Sequence, residues 1–117
     1  MYQMNEWREL KIMLKALADM ARLTIVYHLV QHKEITVTAL TDLLGLSQPL
    51  VSWHLRKLRR AGLITTRRVG RQVYCSLNTD RFELCIHHLQ DLIDPAHNLE
   101  SFPIGAALIE AEMSLED

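Results

Sequence analysis

Cysteine is scarce in this sequence, with only Cys75 and Cys85 among 117 residues. Two thiols make no disulfide framework, so a reducing compartment is expected, with the cytoplasm as the default. No charged segment leading into an apolar run opens the chain, and no uninterrupted apolar stretch approaches about 18 residues. The reading is therefore of a protein neither secreted nor membrane-spanning. Repeats and low-complexity stretches are absent. So are a nucleophile with its base and orienting group, a glycine-rich phosphate loop and a closed ligand cluster. The six histidines are scattered over different elements. These absences exclude an enzyme as the leading expectation.

What is present is an uneven charge distribution hidden by a net charge of −1. Between Ser47 and Asn78 stand seven basic residues (Arg56, Lys57, Arg59, Arg60, Arg67, Arg68 and Arg71) and no acidic one. Between Phe82 and Asp117 stand eight acidic residues and no basic one. A surface that binds a polyanion needs this segregation, or the rest of its own domain would repel the ligand. Apolar residues make up 49% of the chain, enough for one modest core, and a domain of this size commonly gains stability by dimerising.

Periodicity predicts a mostly helical single domain over residues 1–117 with one β-hairpin. Leu10, Met13, Leu14, Leu17 and Ala21 recur at helical spacing, giving a first amphipathic helix over about 5–18. Asp19 is the expected N-cap of a second helix through Leu23, Ile25, Val26 and Leu29. Thr36 or Thr38 starts a third, carrying Leu40, Leu43 and Leu44 and stopped by Gly45. Ser47 is the N-cap of a fourth, with Pro49 in its first turn and Gly62 at its end. On this helix Val51, Leu55 and Leu58 form an apolar stripe, and Gln48, Ser52, Arg56, Arg59 and Arg60 fall on the other side. Two short helices joined by a glycine-containing turn over about 36–62 make the helix-turn-helix pattern. Leu63–Val69 and Gln72–Leu77 read as strands around a Gly70-Arg71 turn, a basic-tipped hairpin over about 63–77. Thr79 or Asp80 caps a fifth helix through Ile93, ended by Asp94-Pro95, and a short last helix places Ile104, Ala107, Leu108 and Ala111 inward.

A helix fits the major groove of B-DNA and not the minor one, and a helix N-terminus favours phosphate. The fourth helix presents Gln48, Leu50, Ser52 and Trp53 away from its apolar stripe. Glutamine can pair with adenine, serine with a base or a phosphate, and leucine can touch a thymine methyl. Arg56, Arg59 and Arg60 on the helix and Arg67, Arg68 and Arg71 on the hairpin can reach phosphates, which hold register without reading sequence. The competing expectation is a winged-helix module for protein association alone, with Trp53 and Leu50 as anchors.

These residues resemble a known family. Ala16-Leu17-Ala18-Asp19 with Arg22-Leu23 looks like the opening motif of the ArsR/SmtB bacterial repressors. Ser47-Gln48-Pro49 through Ser52-Trp53-His54-Leu55, then Leu58-Arg59 and Ala61-Gly62-Leu63, looks like their recognition helix, and Arg67–Tyr74 is similar to their wing. The likeness spans roughly Lys15 to Leu77. It implies a winged helix-turn-helix homodimer, joined through its first helix and the segment over about 79–115. Such a dimer binds an inverted-repeat operator in double-stranded DNA and blocks transcription until an inducer releases it. By the same likeness Ser47, Pro49 and His54 join the DNA-binding set, His54 as a structural or phosphate-orienting residue at the base of the helix.

The inducer is unknown from the sequence. Thr36-Val37-Thr38 stands where the arsenic- and cadmium-sensing relatives place Cys-x-Cys, and hydroxyls are poor ligands for soft metals. Asp80-Arg81-Phe82 lacks the imidazole of the zinc-sensing pattern. No cofactor is therefore expected, although Glu83, His87 and Asp91, at i, i+4 and i+8, form a candidate set for a divalent metal. Cys75 alternates with Val73 and Leu77 and is expected in the core. Cys85 shares an apolar face with Phe82, Ile86 and Leu89, and with His88 at i+3 to lower its pKa it is the candidate redox sensor.

Overall fold

Short-range hydrogen bonds set the helix limits. The computed structural model describes residues 4–94 and residue 96. Helix α1 (Met4–Leu17) is followed by Asp19, whose carboxylate caps α2 (Met20–Gln31) by accepting the Arg22 N–H at 3.1 Å. Thr36 caps α3 (Val37–Leu44) by accepting the Ala39 N–H at 3.1 Å, and Gly45 ends it. Ser47 holds the N-cap position of α4 (Gln48–Arg60) with extended backbone, but its hydroxyl makes no capping bond, unlike those of Asp19 and Thr36. The helix start rests instead on the proline in its first turn, whose fixed φ is already helical.

Three strands form one antiparallel sheet in the order β1-β3-β2: β1 (Ile35–Thr36), β2 (Ile64–Val69) and β3 (Gln72–Leu77). The hairpin matches the sequence reading. The two-residue β1 does not: Thr36 both caps α3 and pairs with Tyr74, while Ile35 pairs with Cys75. The fifth helix, α5 (Thr79–Ile93), also starts differently from expectation, with Asn78 as cap rather than Thr79 or Asp80. Asn78 serves both sides of the junction. Its carbonyl oxygen accepts the Arg81 N–H at 3.3 Å, and its Nδ2 donates to the Gly62 carbonyl at 3.0 Å. The short last helix read from the sequence lies outside the described residues.

The core sits where α1 to α4 meet the sheet. Met13, Ile25, Leu40, Val51, Leu58, Leu63 and Cys75 are fully enclosed, and burial of each large aliphatic contributes about 1.5–3 kcal/mol. The predicted stripe of α4 is confirmed, with Val51, Leu55 and Leu58 all inward. Leu14, Leu23 and Leu43, which periodicity counted as core, are exposed. Helix α5 divides its apolar residues: Cys85 faces in, beside partly buried Phe82, whereas Ile86, Leu89 and Ile93 face out. His88 is buried against Trp7 and Leu10 of α1 and is not part of a polar face.

Gly62 joins α4 to β2 in the left-handed region, at φ +77°. A Cβ there would stand 2.9 Å from Arg81 Nε. Arg81 in turn donates to the Ala61 carbonyl at 3.4 Å and lies 3.7 Å from the Glu9 carboxylate of α1. The C-terminal end of α4 is thus held by α5 and, through Glu9, tied to α1.

Candidate nucleic-acid interface

Helix periodicity and strand alternation converge on one open cleft of about 490 Å³ between α4 and the hairpin. Gln48, Ser52, Arg56 and Arg59 recur at three- and four-residue spacing, so α4 turns them all one way. From the hairpin, Arg68 and Val73, cross-strand partners, face the cleft together with Arg71 at the turn. Thr38, at the start of α3, closes one side. Four guanidinium groups therefore line the cleft, and among the described residues no carboxylate does. Two or more cations that converge without a counter-charge repel one another, so the arrangement favours a polyanion between them.

The remaining residues of the predicted set lie elsewhere. Ser47, Pro49 and Leu50 are exposed at the tip of α4. Arg60 is exposed on α4 outside the cleft. Arg67 faces the opposite side of the hairpin from Arg68, because adjacent strand residues alternate. Its guanidinium forms two 2.7 Å hydrogen bonds with the Glu34 carboxylate and lies 4.7 Å from the centre of the Tyr74 ring. The Arg67 guanidinium holds the Glu34 carboxyl below its ordinary range. Through this pairing Arg67 braces β2 against the residue preceding β1.

His54 and Trp53 occupy the α2 side of α4. His54 is only 6% exposed, and its Nδ1 accepts a hydrogen bond from Arg22 Nη1 at 3.0 Å. A guanidinium can only donate, so the ring proton sits on Nε2. Asp19 Oδ2 lies 3.8 Å from the same Nδ1, beyond hydrogen-bonding length, and Arg22 is the partner. Trp53 meets the His54 ring edge-on at 5.0 Å and has two cations over its ring, Lys57 at 5.0 Å and Arg22 at 5.8 Å. Of the two apolar anchors named for a protein-association surface, Trp53 is thus already engaged. Sequence reasoning missed Thr38, Arg22, Glu34 and Arg81; for Arg22 its place in the ArsR-like opening motif was the available signal.

The candidate metal set does not close. Among the described residues no group of three or more His, Cys, Asp or Glu side chains could hold a metal ion. Glu83 and Asp91, eight residues apart on α5, are separated by about 12 Å of helix rise, whereas metal–ligand bonds are about 2 Å long. The redox candidate fares no better on geometry. Cys85 is buried, and burial pushes its thiol up, opposed by the Arg81 charge rather than by His88. Burial pushes Cys75 up to about 11. Both environments disfavour the reactive thiolate.

The family model described as bacterial regulatory protein, arsR family, matches residues 19–66, from the α2 cap into β2. The nodulation protein NolR of Rhizobium meliloti is 37% identical over 92 residues, 78% of this chain and 75% of that protein. The arsenic resistance transcriptional regulator ArsR1 of Pseudomonas putida is 41% identical over 59% of this chain, and the match spans about half of that regulator, 54%. Among solved structures, reduced HlyU from Vibrio cholerae superposes with a TM-score of 0.60 at 32% identity, covering 74% of this chain and 92% of that one. The fold is the winged helix-turn-helix of these regulators, which are transcriptional regulators and not enzymes, and the chain belongs to the arsR family of bacterial regulatory proteins.

Proposed function

We propose that the protein is a cytoplasmic transcriptional repressor that binds an inverted-repeat operator as a homodimer, with α4 in the major groove and the hairpin on the flanking backbone. The observation that carries this reading is the cleft itself, in which Arg56, Arg59, Arg68 and Arg71 converge with no carboxylate among the described lining residues. Helix α4, about 10–12 Å across with its side chains, fits a groove about 12 Å wide. Gln48 and Ser52 supply base-edge donors and acceptors and the arginines supply phosphate contacts. The outward residues Ile86, Leu89 and Ile93 of α5 form an apolar face suited to a twofold partner.

Selection of bound duplexes from a random library tests the proposal. The expected product is an inverted repeat with half-sites about one helical turn, or 10 base pairs, apart. Failure to retain any duplex at low salt overturns it in favour of protein association through Leu50 and neighbouring exposed residues.

A further inference from the structure

The buried stripe of α4 decides which face of the helix turns inward, but it sets the fine roll less tightly than a directional bond does. Val51, Leu55 and Leu58 are buried, but apolar burial is non-directional. Fine rotation is restrained by directional bonds, and among the described residues the side-chain bond at mid-helix comes from Arg22. Its Nε donates to the Ala16 carbonyl, at the end of α1, at 2.6 Å. Its Nη1 donates to His54 Nδ1 at 3.0 Å. Asp19 caps the backbone N–H of the same residue, which fixes the base of the side chain. One rigid planar group therefore spans α1, α2 and α4.

We propose that Arg22 is a positioning residue for sequence recognition: by holding His54 it fixes the roll of α4 and so sets where Gln48 and Ser52 meet the bases. The inference rests on the DNA-binding reading above. Side-chain tips on a helix stand about 5–6 Å from its axis, so a roll of about 10° moves them about 1 Å. That displacement takes a short side chain such as Ser52 out of hydrogen-bonding range. Long arginines reaching phosphates accommodate it. Loss of Arg22 therefore separates specific from non-specific binding. Lysine cannot substitute, because a single ammonium lacks the fixed fork that serves both acceptors at once.

The experiment measures dissociation constants for the selected operator and for a random duplex, with salt slopes, in wild type, Arg22→Ala, Arg22→Lys, His54→Ala and the Arg22→Ala/His54→Ala pair. Emission of Trp53 is followed in a Trp7→Phe background. The operator-to-random affinity ratio is expected to fall about tenfold, the scale of one lost base contact, in Arg22→Ala, Arg22→Lys and His54→Ala alike. Random-duplex affinity and the salt slope stay unchanged, Trp53 emission shifts in the two Arg22 variants, and the double variant loses no more than either alanine variant. Should Arg22→Ala fail to fold, Arg22→Lys and His54→Ala carry the same comparison. An unchanged ratio in the variants, where wild type does discriminate between the duplexes, overturns the positioning role alone. Equal weakening on both duplexes with a lower salt slope makes Arg22 a phosphate contact and also overturns it. A wild-type protein that does not discriminate between duplexes removes the DNA-binding reading itself.

Discussion

Arg67 and Arg68 are neighbours in sequence, carry the same charge and occupy the same strand, yet their replacement by alanine is expected to affect DNA binding differently. Arg68 lines the cleft, whereas Arg67 faces the other side of the sheet with both ends of its guanidinium on Glu34. Each phosphate contact contributes about −0.9 to the slope of log K against log salt. Four cleft arginines per protomer set a ceiling near −7 for a dimer that places all of them on phosphates. Arg68→Ala removes one contact per protomer, so the slope of the dimer becomes shallower by about 1.8. Between 50 and 200 mM salt, wild type then loses roughly 12-fold more affinity than the variant does. Arg67→Ala leaves the slope unchanged, because its charge is already neutralised by Glu34 on the far side. Fluorescence anisotropy of a labelled duplex across that salt range reads both slopes. Equal loss of slope in the two variants would refute the assignment of faces, and with it the cleft as the DNA surface.

Other consequences concern stability and reactivity. Gly62→Ala forces a side chain into left-handed backbone, which costs about 1–2 kcal/mol, and its Cβ must displace Arg81; the urea midpoint should fall with the m-value unchanged. Asp19 is held below its ordinary value of 3.8, first by the Arg22 backbone N–H, and Glu34 below its ordinary 4.5, first by the Arg67 guanidinium. For depressed carboxyls the stabilisation is complete above the unfolded pKa and fades as pH drops through the folded one. The melting-temperature advantage of wild type over an Asp19→Asn/Glu34→Gln variant should therefore be full above about pH 5 and shrink below about pH 4; an advantage that grows on acidification contradicts the assignment. Cys75 and Cys85, both buried with thiols raised by burial, should resist a thiol reagent in the native protein at pH 8 and react on unfolding.

Most of the fold is legible in the sequence because its signals are local. Asp19, Thr36, Pro49 and the glycines set helix ends through partners within a few residues, and the α4 stripe follows from a repeat of 3.6. What escapes is long-range. Alternation requires Arg67 and Arg68 to lie on opposite faces, but nothing nearby says which faces the cleft; that depends on Glu34, 33 residues away. The Arg22–His54 bond spans 32 residues, and β1 is too short to show a period. The division of α5 into an inner Cys85 side and an outer Ile86–Leu89–Ile93 side is hidden for another reason. Apolar periodicity records that a face is covered, not whether its own fold or another surface covers it.

Backbone amide spectra recorded as a duplex is added report which surface of the protein meets DNA. Resonances of Thr38, Gln48, Ser52, Arg56, Arg68 and Arg71 should shift together, with the Glu34–Arg67 side of the hairpin little changed. Shifts confined instead to the exposed apolar residues Met20, Leu23, Tyr27 and Val30 of α2, with the cleft silent, would contradict the account.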